Sequence, residues 1–85
     1  MKVYVVLHDW GNDHYDHGED VFVSAHTTEA GALAAAEAKA QASFDEFKQY
    51  NPQREIEMAR YKNYFTLKYV AGSESYGVDE HELGD

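Results

Sequence analysis

The segment "TTEAGALAAAEAKAQASFDEFKQYNP" constrains this chain more than any other. Alanine dominates it, and alanine has the highest helix propensity. Thr27 or Thr28 can cap the first free amides, and Glu29 suits the positive N-terminal end. Leu33, Ala36, Ala40, Phe44 and Phe47 fall on one stripe at three- and four-residue spacing. Lys48 suits the C-terminal end, and Pro52 stops the helix before it. The spacing predicts one long helix whose small alanines let it pack close, with Leu33, Phe44 and Phe47 as the larger anchors.

Segments of a different period flank this helix. "KVYVVLH" is rich in β-branched and aromatic residues, which suit a half-buried strand. Val3, Val5 and Leu7 would share one face, and Lys2, Tyr4, Val6 and His8 the other. "DVFVSAH" repeats the pattern, with Val21, Val23 and Ala25 opposite Phe22, Ser24 and His26. The two read as an antiparallel hairpin with an unusually long loop. "QREIEMARYKN" settles on no single period and leans to a short second helix. "YFTLKYVAG" reads as a strand with Phe65, Leu67 and Tyr69 on one face. "GSES" reads as a turn and "YGVDEHEL" as a last short strand with charged edge residues. The expected order is β-β-α-(α)-β-β, an α+β fold with a small antiparallel sheet and one long helix packed on one face.

Size allows one domain over residues 1–85 and one small core. The chain has no cysteine, which excludes a disulfide framework and a thiolate metal site. That absence favours a reducing compartment, and the expected location is the cytoplasm of a host bacterium. No apolar run approaches the roughly 20 residues of a membrane span. "MKVYVVLHDW" is too short and too alternating for a signal peptide and reads as a strand.

The formal charge is −9, and it is unevenly placed. The loop His8–Asp20, "HDWGNDHYDHGED", holds Asp9, Asp13, Asp16, Glu19 and Asp20. The tail from Glu74 to Asp85 holds Glu74, Asp79, Glu80, Glu82 and Asp85. Together these segments carry ten of the 16 acidic residues and none of the seven basic ones, so the rest is nearly neutral. Direct phosphate binding needs lysine and arginine, so neither nucleic acid nor an anionic membrane is an expected partner. A cationic protein surface is. Solubility alone is the bland use of the same charge.

The residues quoted from the two strands, the helix and "YGVDEHEL" resemble a loose family of small bacterial and phage domains. These open with a strand like "VYVVLH". A second strand like "VFVSAHT" then runs straight into an Ala/Glu-rich helix. The resemblance covers the first half of the chain and its tail, and this chain departs from it in "FDEFKQYNPQREIEMARYKN". It implies an α+β fold and supplies no catalytic residues. In size and acidity the chain is also similar to phage-encoded inhibitors of bacterial defence, including anti-CRISPR proteins.

The loop and its surroundings offer three candidate chemistries. His8, His14 and His17, flanked by Asp13 and Asp16, include two imidazoles three residues apart that could converge on a divalent ion. No helix-borne histidine pair supports them, and ordering a loop around a metal costs entropy. Serines 24, 43, 73 and 75 lie in no nucleophile-elbow pattern, and no Gly-rich phosphate loop is present. Neither an enzyme nor a cofactor is expected. Aromatics are more telling. Trp10 and Tyr15 lie among the loop carboxylates, and such rings give large contact area at low entropic cost. The leading expectation is a non-catalytic binding protein that docks on a basic surface of a host nucleic-acid-handling or defence complex, with nucleic-acid mimicry as one form of that docking. Its contact residues would be Asp9, Trp10, Asp13, Tyr15, Asp16, Glu19, Asp20, Glu80 and Glu82. The alternatives are a metal-regulated domain using the loop histidines, and a homodimeric module.

Overall fold

The computed structural model describes residues 1–12, 21–69 and 72–83. In chain order the elements are β1 (Lys2–Asn12), β2 (Val21–His26), α1 (Glu29–Tyr50), β3 (Ile56–Arg60), β4 (Tyr64–Tyr69) and β5 (Gly72–Glu82). The five strands form one antiparallel sheet in the order β2-β1-β5-β4-β3. One helix on one antiparallel sheet is an α+β fold, as the sequence predicts.

The helix forms where propensity and capping agree. Thr28 is its N-cap: the Thr28 Oγ1 accepts a hydrogen bond from the Gly31 amide at 3.0 Å. At the other end the amide and side-chain nitrogens of Asn51 both donate to the Phe47 carbonyl, and Pro52 follows. The buried stripe is Ala32, Ala36 and Ala40, with Ala32, one residue earlier, taking the place expected for Leu33. It continues through Ser43, whose hydroxyl bonds the Tyr76 hydroxyl at 2.9 Å, and Phe47, which stacks on Tyr69. The large anchors come instead from the sheet. Val6, Phe65, Tyr76 and Val78 meet the alanines, and Tyr4, Val23, Leu33, Ala35 and Met58 pack around them.

Three expectations are corrected. Residues 56–60 are a strand, not a second helix: Ile56 pairs with Tyr69, Met58 with Leu67 and Arg60 with Phe65. Ile56 and Met58 lie on the side that α1 covers, so their two-residue spacing is a strand period. "GSES" is not a turn but the first part of β5, which runs for eleven residues between β1 and β4. In β2 a register shift falls opposite Val6 and Leu7, so Ser24 pairs with Val6 and Phe22 with Leu7. The extra residue, Val23, reaches the core. The bulge breaks the expected alternation and leaves Phe22 on the uncovered face, 62% exposed.

Strand order could not be read from the sequence. It makes β1 and β5, the first and last strands, central neighbours paired over their whole length. That pairing fixes where Asp9, Glu74, Asp79, Glu80 and Glu82 lie.

Candidate functional site

Antiparallel partners share a face, so the β1–β5 register assigns each side chain to a side. Tyr4, Val6, His8 and Trp10 lie on the helix side with Glu80, Val78, Tyr76 and Glu74. Asp9 lies on the uncovered side, opposite Ser75. There it borders a shallow depression with Leu7, Tyr64, Ser75, Gly77 and Asp79.

The helix side is the more structured. The His8 ring stacks on Tyr76 with centroids 4.4 Å apart and 12° between planes, and it tilts against Trp10 at 5.4 Å. Its Nε2 stands 3.7 Å from Glu74 Oε2. Trp10, 45% exposed, sits directly across from Glu74. Beyond Glu74 the last turns of α1 and the ends of β3 and β4 enclose a cleft of about 370 Å³. Glu46, Phe47, Tyr50, Tyr69 and Glu74 are among the residues that line it. Phe47 and Tyr69 stack at 5.4 Å to form an aromatic wall.

The electrostatics are those of a carboxylate pair against a half-dry wall. Burial, and then the Glu74 charge, raise the Tyr69 phenol above its ordinary value. Burial is also the main cause for Tyr76. The hydrogen bond to Ser43 opposes it, and Glu74 and Glu46 add to it. Both phenols stay neutral and the two carboxylates supply the negative field.

The rest of the expected contact set is dispersed. Glu80 takes a 3.1 Å contact from Lys2 Nζ and a hydrogen bond from the Tyr4 hydroxyl at 3.3 Å. The Lys2 hydrogen bond and charge hold its carboxyl below the ordinary range. Glu82 pairs with the N-terminal amine at 3.2 Å. At about 3.3 Å per residue these two lie roughly 20–26 Å along β5 from Glu74. Glu74 therefore lies toward one end of the β1–β5 ladder, and Glu80 and Glu82 toward the other. Asp13, Tyr15, Asp16, Glu19 and Asp20, with His14 and His17, lie outside the described residues. Among the described residues no three metal-ligating side chains converge. His8, the remaining metal candidate, is held by rings and one carboxylate.

Sequence reading missed Glu46, Phe47, Tyr50 and Tyr69 as site residues. Glu46 belongs to the charge-neutral part of the chain, and only the packing of the helix on the sheet brings it to the cleft that Glu74 also lines. A Ser–His pair also emerges, with Ser24 Oγ and His26 Nε2 2.8 Å apart. Among the described residues no carboxylate bonds His26, so the orienting third member of a triad is not in place there.

The fold and this surface define a one-helix α+β domain with an acidic, aromatic cleft at one end of its central ladder. No family model matches the chain, and neither a curated protein nor a solved structure shows significant similarity to it. No helix is long and apolar enough to cross a membrane, among the described residues.

Proposed function

We propose that this chain is a non-catalytic acidic binding protein that docks on a basic surface of a partner protein. The partner class that suits its charge is a bacterial nucleic-acid-handling or defence complex, and the chain would act there as a phage or prophage inhibitor. One observation carries the reading. A half-exposed tryptophan lies against a histidine ring and stands across the β1–β5 ladder from Glu74, near the end of β1. From that same end the chain passes into residues 13–20, which carry four acids and no base. Tryptophan is among the residues most enriched in binding hot spots.

The charge layout favours docking at one end over mimicry of a nucleic-acid backbone along the molecule. A DNA strand presents a phosphate about every 3.4 Å. Here Ser75, Tyr76, Gly77 and Val78 separate Glu74 from Asp79, and Glu80 and Glu82 are already paired with cations. The test is capture of partners from bacterial lysate at low and high salt. The reading expects one stoichiometric partner whose retention falls with salt. Retention should be lost on Trp10→Ala and on charge reversal at Asp13, Asp16 and Glu19, and should survive Glu80→Lys. Association indifferent to salt and to those changes would remove the electrostatic mechanism.

A second reading, self-association, has its own observation. β2 is an edge strand, it carries no Asp, Glu, Lys or Arg, and Val21 and Phe22 are exposed on it. Edges usually carry charge to prevent strand addition. Light scattering should then give a doubled mass that Phe22→Lys returns to that of one chain.

A further inference from the structure

We propose that the cleft between the last turns of α1 and the β4–β5 end of the sheet receives an arginine side chain of the partner protein. The inference rests on the docking reading above and assigns the chemistry of its central contact.

The cleft is shaped and charged for a flat cation. Its volume, about 370 Å³, lies at the low end of small-ligand sites, roughly 300–1,000 Å³. That suits one long side chain better than a cofactor. Glu46 comes from the helix and Glu74 from the sheet, and the Phe47–Tyr69 stack and Tyr50 supply ring surface. None of the chain's seven lysines and arginines lines it. Lys48, two residues from Glu46, is turned to the Arg54 carbonyl.

Glu74 is the most constrained of these groups. Its side chain is 20% exposed, and His8 Nε2 at 3.7 Å is beyond hydrogen-bond length. A carboxylate withdrawn from water and, among the described residues, lacking a cationic donor closer than that gains from a charge-assisted hydrogen bond. The negative field of Glu74 already reaches the phenols of Tyr69 and Tyr76. A guanidinium answers all these features together. It is planar, stacks on rings, and presents a fork of N–H donors that can serve two carboxylates. A lysine ammonium is compact and strongly hydrated, and it cannot lie flat on the Phe47–Tyr69 wall. Phosphates and nucleic acid are repelled by the same carboxylates.

The test titrates the full chain, labelled with ¹⁵N, with three probes. These are a blocked Gly-Arg-Gly peptide, its Gly-Lys-Gly counterpart, and spermidine. The arginine peptide should give saturable amide shifts at Glu46, Phe47, Tyr69 and Glu74. Glu74→Gln should weaken that binding by about tenfold, the loss of one hydrogen bond between charged groups. Should that variant fail to fold, Glu46→Gln, whose side chain is exposed, carries the same test. The lysine peptide should bind at least about threefold more weakly. Shifts centred on Asp79–Glu82, equal binding of the lysine peptide, or no effect of either substitution would overturn the proposal. Spermidine binding more tightly than the arginine peptide would overturn it too, in favour of a free polyamine. The two readings fail separately. A captured partner retained by the Glu46→Gln, Glu74→Gln double variant would sink the cleft and leave docking intact. An arginine-binding cleft in a chain that captures no partner would do the reverse.

Discussion

Truncating Leu67 and truncating Phe22 should have opposite consequences to those their sizes suggest. Leu67, on β4, is 1% exposed, whereas Phe22 is 62% exposed on the face that α1 does not cover. Leu67→Ala removes three buried carbons. At about 0.8 kcal/mol for each, transfer alone costs about 2.4 kcal/mol. The cavity left under the helix brings the total to about 3–4 kcal/mol. A chain of 85 residues has about 4–13 kcal/mol of stability in all. Phe22→Ala removes twice as many carbons but mostly from water, and should cost less than about 1 kcal/mol. Urea unfolding followed by circular dichroism reads both. With a slope of about 1 kcal/mol/M, the midpoint should fall by about 3 M for Leu67→Ala and by under about 1 M for Phe22→Ala. Equal shifts, or a cost below about 1 kcal/mol at Leu67, would mean that the helix does not cover the face described above.

Three further outcomes follow from single contacts. Thr28→Ala should lower stability by about 1 kcal/mol in the same urea assay, and Thr28→Ser should restore most of it. Tyr76→Phe and Ser43→Ala each break one hydrogen bond between α1 and β5 and should cost about 1 kcal/mol; the double variant should cost little more than either. Glu80 is held below its ordinary value near 4.5 mainly by Lys2, so the pair stabilises the fold above that value and the contribution is lost as pH falls through the lowered one. In Lys2→Gln the side-chain titration of Glu80, followed by NMR, should move up toward 4.5.

Much of the fold was legible because local signals agreed with the final packing. The α1 segment combines alanine, a threonine cap and a following proline, and β1 and β4 carry β-branched and aromatic residues in alternation. What was hidden depended on partners distant in sequence. Gly72, Ser73 and Ser75 have little preference for strand, and β5 extends through them because β1 and β4 pair with it on both sides. Ile56 and Met58 show a strand period only once Tyr69 and Leu67 stand opposite them. Tyr76 looked like an element end and is in the core, since its hydroxyl finds Ser43 on the helix. For the site, the sequence singles out Trp10 and the acids around it, and the structure describes Trp10 and Asp9 of that set. The cleft was not legible, because Glu46 on α1 and Glu74 on β5 come to line it only through the packing of the helix on the sheet. The separation of Glu74 from Glu80 and Glu82 along the ladder was hidden because it depends on strand order.

The pairing of β1 with β5 also sets a timetable for synthesis. β1, β2 and α1 leave the ribosome before β5, and β1 has its second neighbour only after about sixty more residues, from Asn12 to Gly72. At about 5–20 residues per second that interval is roughly 3–12 s. Throughout it, the edge of "VYVVLH" that β5 will cover carries open backbone donors and acceptors. Any strand of suitable pattern could occupy it, including the same segment of a neighbouring nascent chain. β5 thus protects a strand made well before it, and slow stretches of translation between α1 and β5 should lower soluble yield more than slow stretches between β1 and α1.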